Sequence, residues 1–278
     1  MSMTSEKTVP VHASVISGDG TEIAFERLGA GPAVILVSSA LADRSDARKL
    51  AGLLAEHFTV INYDRRGRGA SGDAAAYAVE REVEDIAALI GHAGGSASVF
   101  GSSSGAVLAL RAVAAGLDVE RLALYEPPFV IGDDGFGPPG DYARRLDALL
   151  AADRRGDAVR YFMTEVQGMP AFMVTMMRLM PGAWSSLKAL AHTLPYDAAV
   201  MGDTQQGKPL EAGRWSAATM PTLVLTGGKS PAGFHDAARA LAHVLPDAEH
   251  RTLPGLNHGA VVMAPKKLAP ALVEFLHG

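Results

Sequence analysis

The run Ser98-Val99-Phe100-Gly101-Ser102-Ser103-Ser104-Gly105-Ala106-Val107-Leu108 decides the fold. Its first five residues read as a short buried strand, and from Ala106 to residue 115 the small and apolar side chains read as a helix. Between the two lies G-x-S-x-G, residues 101–105. Glycine two positions to either side of Ser103 lets a strand turn sharply into a helix without a clash, and the central hydroxyl then stands above the strand end. The pentapeptide alone is a weak signal, because Gly and Ser are common in ordinary turns. The strand before it and the helix after it give it force. Ser102 and Ser104 are rival nucleophiles on paper, but only Ser103 has glycine on both sides at that spacing.

Outward from this turn, strand-length apolar runs alternate with segments of helical period, the pattern of a mostly parallel sheet covered by helices. Residues 11–17 and 22–28 flank Gly18-Asp19-Gly20 and predict an antiparallel hairpin. Further strands are predicted at 33–39, 57–63, 98–102, 121–125, 222–226 and 249–253. Helices are expected through Leu50, Leu53 and Leu54, through Val83, Ile86, Leu89 and Ile90, over 237–245 and over 265–276. From Pro127 to Met220 the strand signal stops. That stretch is helical in pattern, with breaks at Pro138-Pro139, Pro170, Pro181 and Pro195. It predicts an insertion lying over the sheet.

Bulk composition narrows the function classes. The 278 residues carry a formal net charge of −5, with 48% hydrophobic and 20% charged residues, as in ordinary globular chains. No clustered basic surface is advertised, so nucleic acid is not an expected partner. With no cysteine, thiolate catalysis, disulfides and Cys-ligated zinc are excluded. The N-terminal stretch has no signal-like apolar run, and no segment reaches the roughly 20 apolar residues of a membrane span. The expectation is therefore a cytoplasmic chain with no membrane partner, and a homodimer is left open.

A serine hydroxyl needs a base within hydrogen-bond reach. Of nine histidines, His258 lies in Pro254-Gly255-Leu256-Asn257-His258-Gly259, between the last strand and the last helix. Parallel strands bring that loop to the same sheet end as Ser103. His235, after the next-to-last strand, is the rival. A carboxylate should then orient the imidazole.

The order of elements, the nucleophile turn and the loop histidine together resemble the α/β-hydrolase fold family. The segment Asp64-Arg65-Arg66-Gly67-Arg68-Gly69-Ala70-Ser71 resembles the family's D-x-R-G-x-G-x-S loop, in which Asp64, Arg66 and Gly67 are read as stabilising the loop itself. The resemblance implies an eight-stranded, mostly parallel sheet flanked by helices, with a helical cap inserted after the sixth strand. Residues 1–126 and 221–278 would form the core, and 127–220 the cap. It also implies no cofactor and no metal. The match of Gly67-Arg68-Gly69-Ala70-Ser71-Gly72 to a dinucleotide fingerprint is discounted, because no helix opens directly from it.

Two departures from the family matter. The acid is usually found in a G-x-x-D pattern after the penultimate strand, whereas Gly227-Gly228-Lys229-Ser230-Pro231 carries Ser230 in that place. Glu126, at the end of the strand after the nucleophile helix, is similar to the acid of zearalenone lactonases, which also resemble the chain in a G-x-x-[ST]-P loop. Glu126 is the favoured acid and Asp236 the reserve. The other departure is Ser38-Ser39-Ala40-Leu41, which stands where family members often carry His-Gly. Oxyanion stabilisation needs only aimed N–H groups, assigned to Ala40 and Ser104.

Met163, Met173, Met177 and Trp184 of the insertion are read either as packing its core or as candidate substrate contacts, the latter together with the Ser39 hydroxyl, since thioethers adapt to irregular apolar ligands. The implied reaction is hydrolysis of a small hydrophobic ester or lactone through an acyl-enzyme. Carbon–carbon bond hydrolysis, perhydrolysis or cyclisation on the same residues is the alternative chemistry. A small-molecule-binding member without turnover is the non-enzymatic one.

Overall fold

The computed structural model describes residues 9–132 and 137–278. The first eight residues, part of the stretch read for a signal peptide, lie outside them. An eight-stranded sheet forms the centre, in the spatial order β1-β2-β4-β3-β5-β6-β7-β8. In chain order the strands are β1 (Val11–Ile16), β2 (Glu22–Leu28), β3 (Ala33–Val37), β4 (Thr59–Tyr63), β5 (Ala97–Ser102), β6 (Val119–Tyr125), β7 (Thr222–Gly227) and β8 (Ala248–Leu253). The hairpin β1–β2 and the pair β2–β4 are antiparallel. Every other pairing is parallel. That puts the carboxyl ends of β3, β5, β6, β7 and β8 on one edge, where the loops after them converge.

Alternation along the strands splits the core in two. Ile35, Val37, Val99, Leu122, Leu124 and Val224 point to one face, covered by α2 (Val79–Ala93), α3 (Ser104–Ala114) and α9 (Ala232–Val244). Val34, Leu36, Phe100, Ala123, Leu223 and Leu225 point to the other, covered by α1 (Arg44–Leu54), α10 (Ala260–Met263) and α11 (Pro265–His277). The central strands are therefore apolar on both sides, as parallel strands must be when helices cover both faces.

Between β6 and β7 the described residues hold helices and no strand. These are α4 (Tyr142–Ala151), α5 (Arg155–Tyr161) running on into a π-helical turn (Phe162–Val166), α6 (Ala171–Arg178), α7 (Pro181–Leu190) and α8 (Leu194–Met201). They bury a small core of their own around Leu146, Val159, Phe162, Trp184 and Leu194. Three of the five prolines expected to interrupt this stretch do so by starting helices: Pro170 caps α6, while Pro181 and Pro195 occupy the first turns of α7 and α8. Among the described residues no helix is long and apolar enough to cross a membrane.

Several element ends differ from expectation. Helix α3 starts at Ser104, two residues early, because Ser103 itself is the N-cap. Helix α9 starts at Ala232 and not near 237, with Pro231 as its N-cap. Strand β3 ends at Val37, which leaves Ser38 and Ser39 in the loop, and β4 begins at Thr59, so His57 lies in a turn.

Candidate active site

Strand β5 delivers Ser103 into a left-handed backbone, with φ 54° and ψ −125°. A non-glycine residue held there is strained by about 1–3 kcal/mol, and such strain persists only where the surroundings enforce it. Two close approaches enforce it here. A Cβ at Gly101 would stand 2.5 Å from the Gly105 carbonyl oxygen, and one at Gly105 would stand 2.5 Å from that of Ser38. Only glycine allows the strand, the helix start and the β3 loop to meet this tightly. The Ser103 N–H, meanwhile, donates to the Tyr125 carbonyl at 2.8 Å and ties the turn to the end of β6.

One residue beyond Tyr125, Glu126 also adopts a positive φ, 49°, and turns its carboxylate back under the loops. Its side chain is fully buried. An unpaired carboxylate there would carry a desolvation cost of several kcal/mol, so both oxygens need donors. Oε1 accepts the Gly227 N–H at 2.6 Å, and Oε2 lies 2.8 Å from His258 Nδ1. The tautomer that serves the carboxylate carries its proton on Nδ1, leaving Nε2 as an acceptor. Nε2 lies 3.1 Å from Ser103 Oγ. Two further contacts hold the ring: Phe234 stacks on it with centroids 4.7 Å apart, and the Tyr125 hydroxyl donates to the neighbouring Asn257 carbonyl at 2.7 Å.

The structure thus brings Ser103, His258 and Glu126 into one hydrogen-bonded chain. It does not bring in the two rivals. Asp236 is half exposed on α9 and pairs with Arg239. His235 turns its Nδ1 to the Thr226 hydroxyl, 3.2 Å away. Ser230, where the family's usual acid would stand, is among the residues lining the pocket, and its hydroxyl is buried.

Ala40 lies in the loop after β3, beside Leu41, which has a φ of 54°, and Ser104 is the first residue of α3. Among the described residues neither N–H has a hydrogen-bond partner. Helix α3 also points its N-terminal, positive dipole end at the serine.

A cavity of about 560 Å³ opens on Ser103 and His258. Ser39 and Ala40 line it on the β3 side, and Met163, Met169, Met173 and Leu187 line it from the insertion. Two expected contacts are corrected. Met177 and Trp184 do not line this cavity but pack within the small core of the insertion, where the Arg178 guanidinium covers the indole. Met173 and Met177 lie one turn apart on α6, yet the first lines the cavity and the second packs on the core of the insertion. Sequence reasoning missed Gln167, Lys229 and Val262 as lining residues. The Gly227–Pro231 motif pointed to the Lys229 loop; nothing in the pattern singled out the other two.

Sequence reasoning also missed Asp197, buried on α8. Its Oδ1 accepts the Ser104 hydroxyl at 2.7 Å and Arg65 Nη1 at 2.8 Å, and its Oδ2 accepts Arg68 Nη2 at 2.8 Å. Burial alone would raise its pKa, but the charges of Arg68 and Arg65 and the Ser104 hydrogen bond hold the carboxyl below the ordinary aspartate value. The loop roles read for Asp64 and Arg66 match contacts in place: Asp64 accepts the N–H groups of Arg44 and Ala70, and Arg66 pairs with Asp85 and Asp19.

The model of a family described as the alpha/beta hydrolase family matches residues 30–271. The crystal structure of an alpha/beta hydrolase from Sphaerobacter thermophilus DSM 20745 is similar at 54% identity with a TM-score of 0.86, covering 95% of this chain and 99% of that one. An enol-lactonase from Burkholderia xenovorans LB400 is similar in fold, at 22% identity and a TM-score of 0.69, covering 96% of this chain and 100% of that one. A curated Bacillus subtilis (strain 168) relative, the uncharacterized hydrolase YraK, is 38% identical over 95 residues. That match spans 33% of this chain and about a third (35%) of the relative's length.

Proposed function

The chain belongs to the alpha/beta hydrolase family, and from that premise we propose that it is a serine hydrolase cleaving a carboxylic ester or lactone of a small, apolar substrate. The single observation that carries the reading is the run from Ser103 Oγ to His258 Nε2, 3.1 Å, and from His258 Nδ1 to Glu126 Oε2, 2.8 Å.

In this reading His258 Nε2 takes the Ser103 proton as Oγ attacks the acyl carbon. The carbonyl π electrons move to oxygen, which the Ala40 and Ser104 N–H groups receive. Glu126 keeps the imidazole in the required tautomer and balances its positive charge. His258 then passes the proton to the departing alkoxide oxygen, and the C–O bond breaks to leave an acyl-serine. Water, deprotonated by the same Nε2, attacks that ester; the C–Oγ bond breaks, Ser103 Oγ takes the proton back from His258, and the carboxylic acid is released. A lactone follows the same steps, with the alcohol remaining tethered to the acid. Residues 127–220 act as a cap over the core of 1–126 and 221–278, and the cap methionines give the pocket its preference for apolar acyl groups.

The test is hydrolysis of p-nitrophenyl butyrate together with labelling by a fluorophosphonate. Wild-type protein should turn over the ester and take the label once per chain. Ser103→Ala should abolish both, with a rate loss on the order of 10⁶ by comparison with other serine triads. Full activity in Ser103→Ala would sink the assignment.

A further inference from the structure

We propose that Asp197, carried by the inserted helix α8, is a positioning residue that holds both halves of the oxyanion hole in place. The inference rests on the serine-hydrolase reading above and assigns a role to a residue which that chemistry does not itself use.

Asp197 is 2% exposed and lies at the junction of two hydrogen-bond paths. One path is short. The Ser104 hydroxyl donates to Asp197 Oδ1 at 2.7 Å, which clamps the residue whose N–H is one donor of the hole. The other path reaches the loop that carries Ala40. Arg68 Nη2 donates to Asp197 Oδ2 at 2.8 Å, while Nη1 of the same guanidinium donates to the Ser39 carbonyl at 2.6 Å and the Ala42 carbonyl at 3.3 Å. Arg65 repeats the pattern, with Nη1 donating to Asp197 at 2.8 Å and to the Ser38 carbonyl at 3.2 Å. The carbonyls of Ser38, Ser39 and Ala42 therefore bracket Ala40 and are all held by cations that one carboxylate anchors.

This anchoring has a physical purpose at this place. An oxyanion donor works only if its N–H is aimed before the charge develops. The loop after β3 contains a left-handed, non-glycine residue, Leu41 at φ 54°, and so resists its own conformation. Guanidinium groups are rigid forks, so fixing one edge on a carboxylate fixes what the other edge grips. Arg65 has a second anchor in Glu82 at 2.6 Å, whereas for Arg68 Asp197 is the sole carboxylate partner among the described residues. Loss of Asp197 should therefore loosen the Arg68 side of the loop and the Ser104 clamp together. Because Asp197 sits on the insertion, the arrangement also makes the geometry of the hole depend on the seating of the cap.

The experiment uses the full chain with p-nitrophenyl butyrate as substrate and an alkylboronic acid as inhibitor. Ser103 Oγ adds to the boron to give a tetrahedral adduct whose hydroxyl occupies the oxyanion position. In Asp197→Asn and in Ser104→Ala, kcat should fall by about tenfold to a hundredfold, less than the 10²–10³ of a wholly lost donor. Boronate affinity should weaken by a similar factor, while KM stays within about twofold. A residue that only stabilised the fold would lower Tm and leave these ratios alone. Folded Ser104→Ala with kcat and boronate affinity equal to wild type would overturn the inference, and so would a rise in KM alone. If Asp197→Asn does not fold, Ser104→Ala decides, since it deletes one hydroxyl and keeps the N–H. Wild-type protein that takes no fluorophosphonate label would instead overturn the serine-hydrolase reading itself.

Discussion

Glu126 accepts the Gly227 N–H at 2.6 Å, so the last residue of β7 gives the site a hydrogen-bond donor, whereas the family pattern would give it a carboxylate from the loop that follows. With that oxygen satisfied, the other is left for His258. Glu126→Gln keeps the shape but removes the charge and favours the wrong imidazole tautomer. The expected result is a fall in kcat of about 10⁴ with KM little changed. Asp236→Asn, which disturbs only the surface pair with Arg239, should leave steady-state kinetics within twofold of wild type. A reversal of these two outcomes would move the acid to α9.

Gly105→Ala places a methyl 2.5 Å from the Ser38 carbonyl oxygen, a backbone atom that cannot swing aside. Overpacking of this kind costs about 1–3 kcal/mol. Thermal unfolding should show a lower Tm, and turnover should fall further than the stability loss explains, because the displaced loop carries Ala40. Wild-type kcat in a folded Gly105→Ala protein would show that the approach is not needed.

Met173 and Trp184 separate pocket from core within one insertion. Met173→Ala should enlarge the cavity at its mouth and shift the preferred p-nitrophenyl ester toward longer acyl chains, with Tm nearly unchanged, since the side chain is half exposed. Trp184→Ala should cost about 3–5 kcal/mol, the usual range for a buried Trp. Its chain-length preference should not move. A series of acyl esters from acetate to decanoate, read beside a melting curve, distinguishes the two.

Acid should erase the stabilising part of Asp197. Its carboxyl titrates below the ordinary aspartate value of about 3.9 when folded, so the native state binds fewer protons there than the unfolded chain. Its contribution is thus fully present above the unfolded pKa and lost as pH falls through the lower, folded one. Denaturant titrations should show wild type more stable than Asp197→Asn by about 3–5 kcal/mol at pH 7, the cost of breaking a buried pair. That gap should hold down to about pH 5 and narrow below pH 4. A gap independent of pH would mean that Asp197 titrates alike in the folded and unfolded chains, and a gap that widened toward acid would mean that its folded carboxyl is neutral.

Much of this was legible in local pattern. The alternation of strands and helices yields the sheet, since runs such as Ala33–Val37 and residues 223–225 are wholly apolar, and Gly101 and Gly105 mark a turn that few other arrangements need. His258 stood out because parallel strands send their following loops to one edge. Glu126 was visible only by resemblance, because a glutamate before two prolines has no period or spacing to announce it. Asp197 was not legible at all: its partners are 93 to 132 residues away, and a lone acid in a helical stretch reads as solvent-facing. Met173 and Met177 were inseparable for a different reason. They lie one turn apart on α6, and only the folded chain shows that one meets the cavity and the other the core of the insertion.

The Ser103 N–H to Tyr125 carbonyl bond has a consequence for how this site can vary among relatives. Under the proposed assignment, nucleophile and acid sit on adjacent strands knitted through the main chain, so their separation is inherited from sheet geometry. The β7 loop is then released from catalytic duty. Residues 228–231 become open ground on which new side chains can be tried against new substrates, and a saturation library there should yield altered selectivity far more often than dead enzyme.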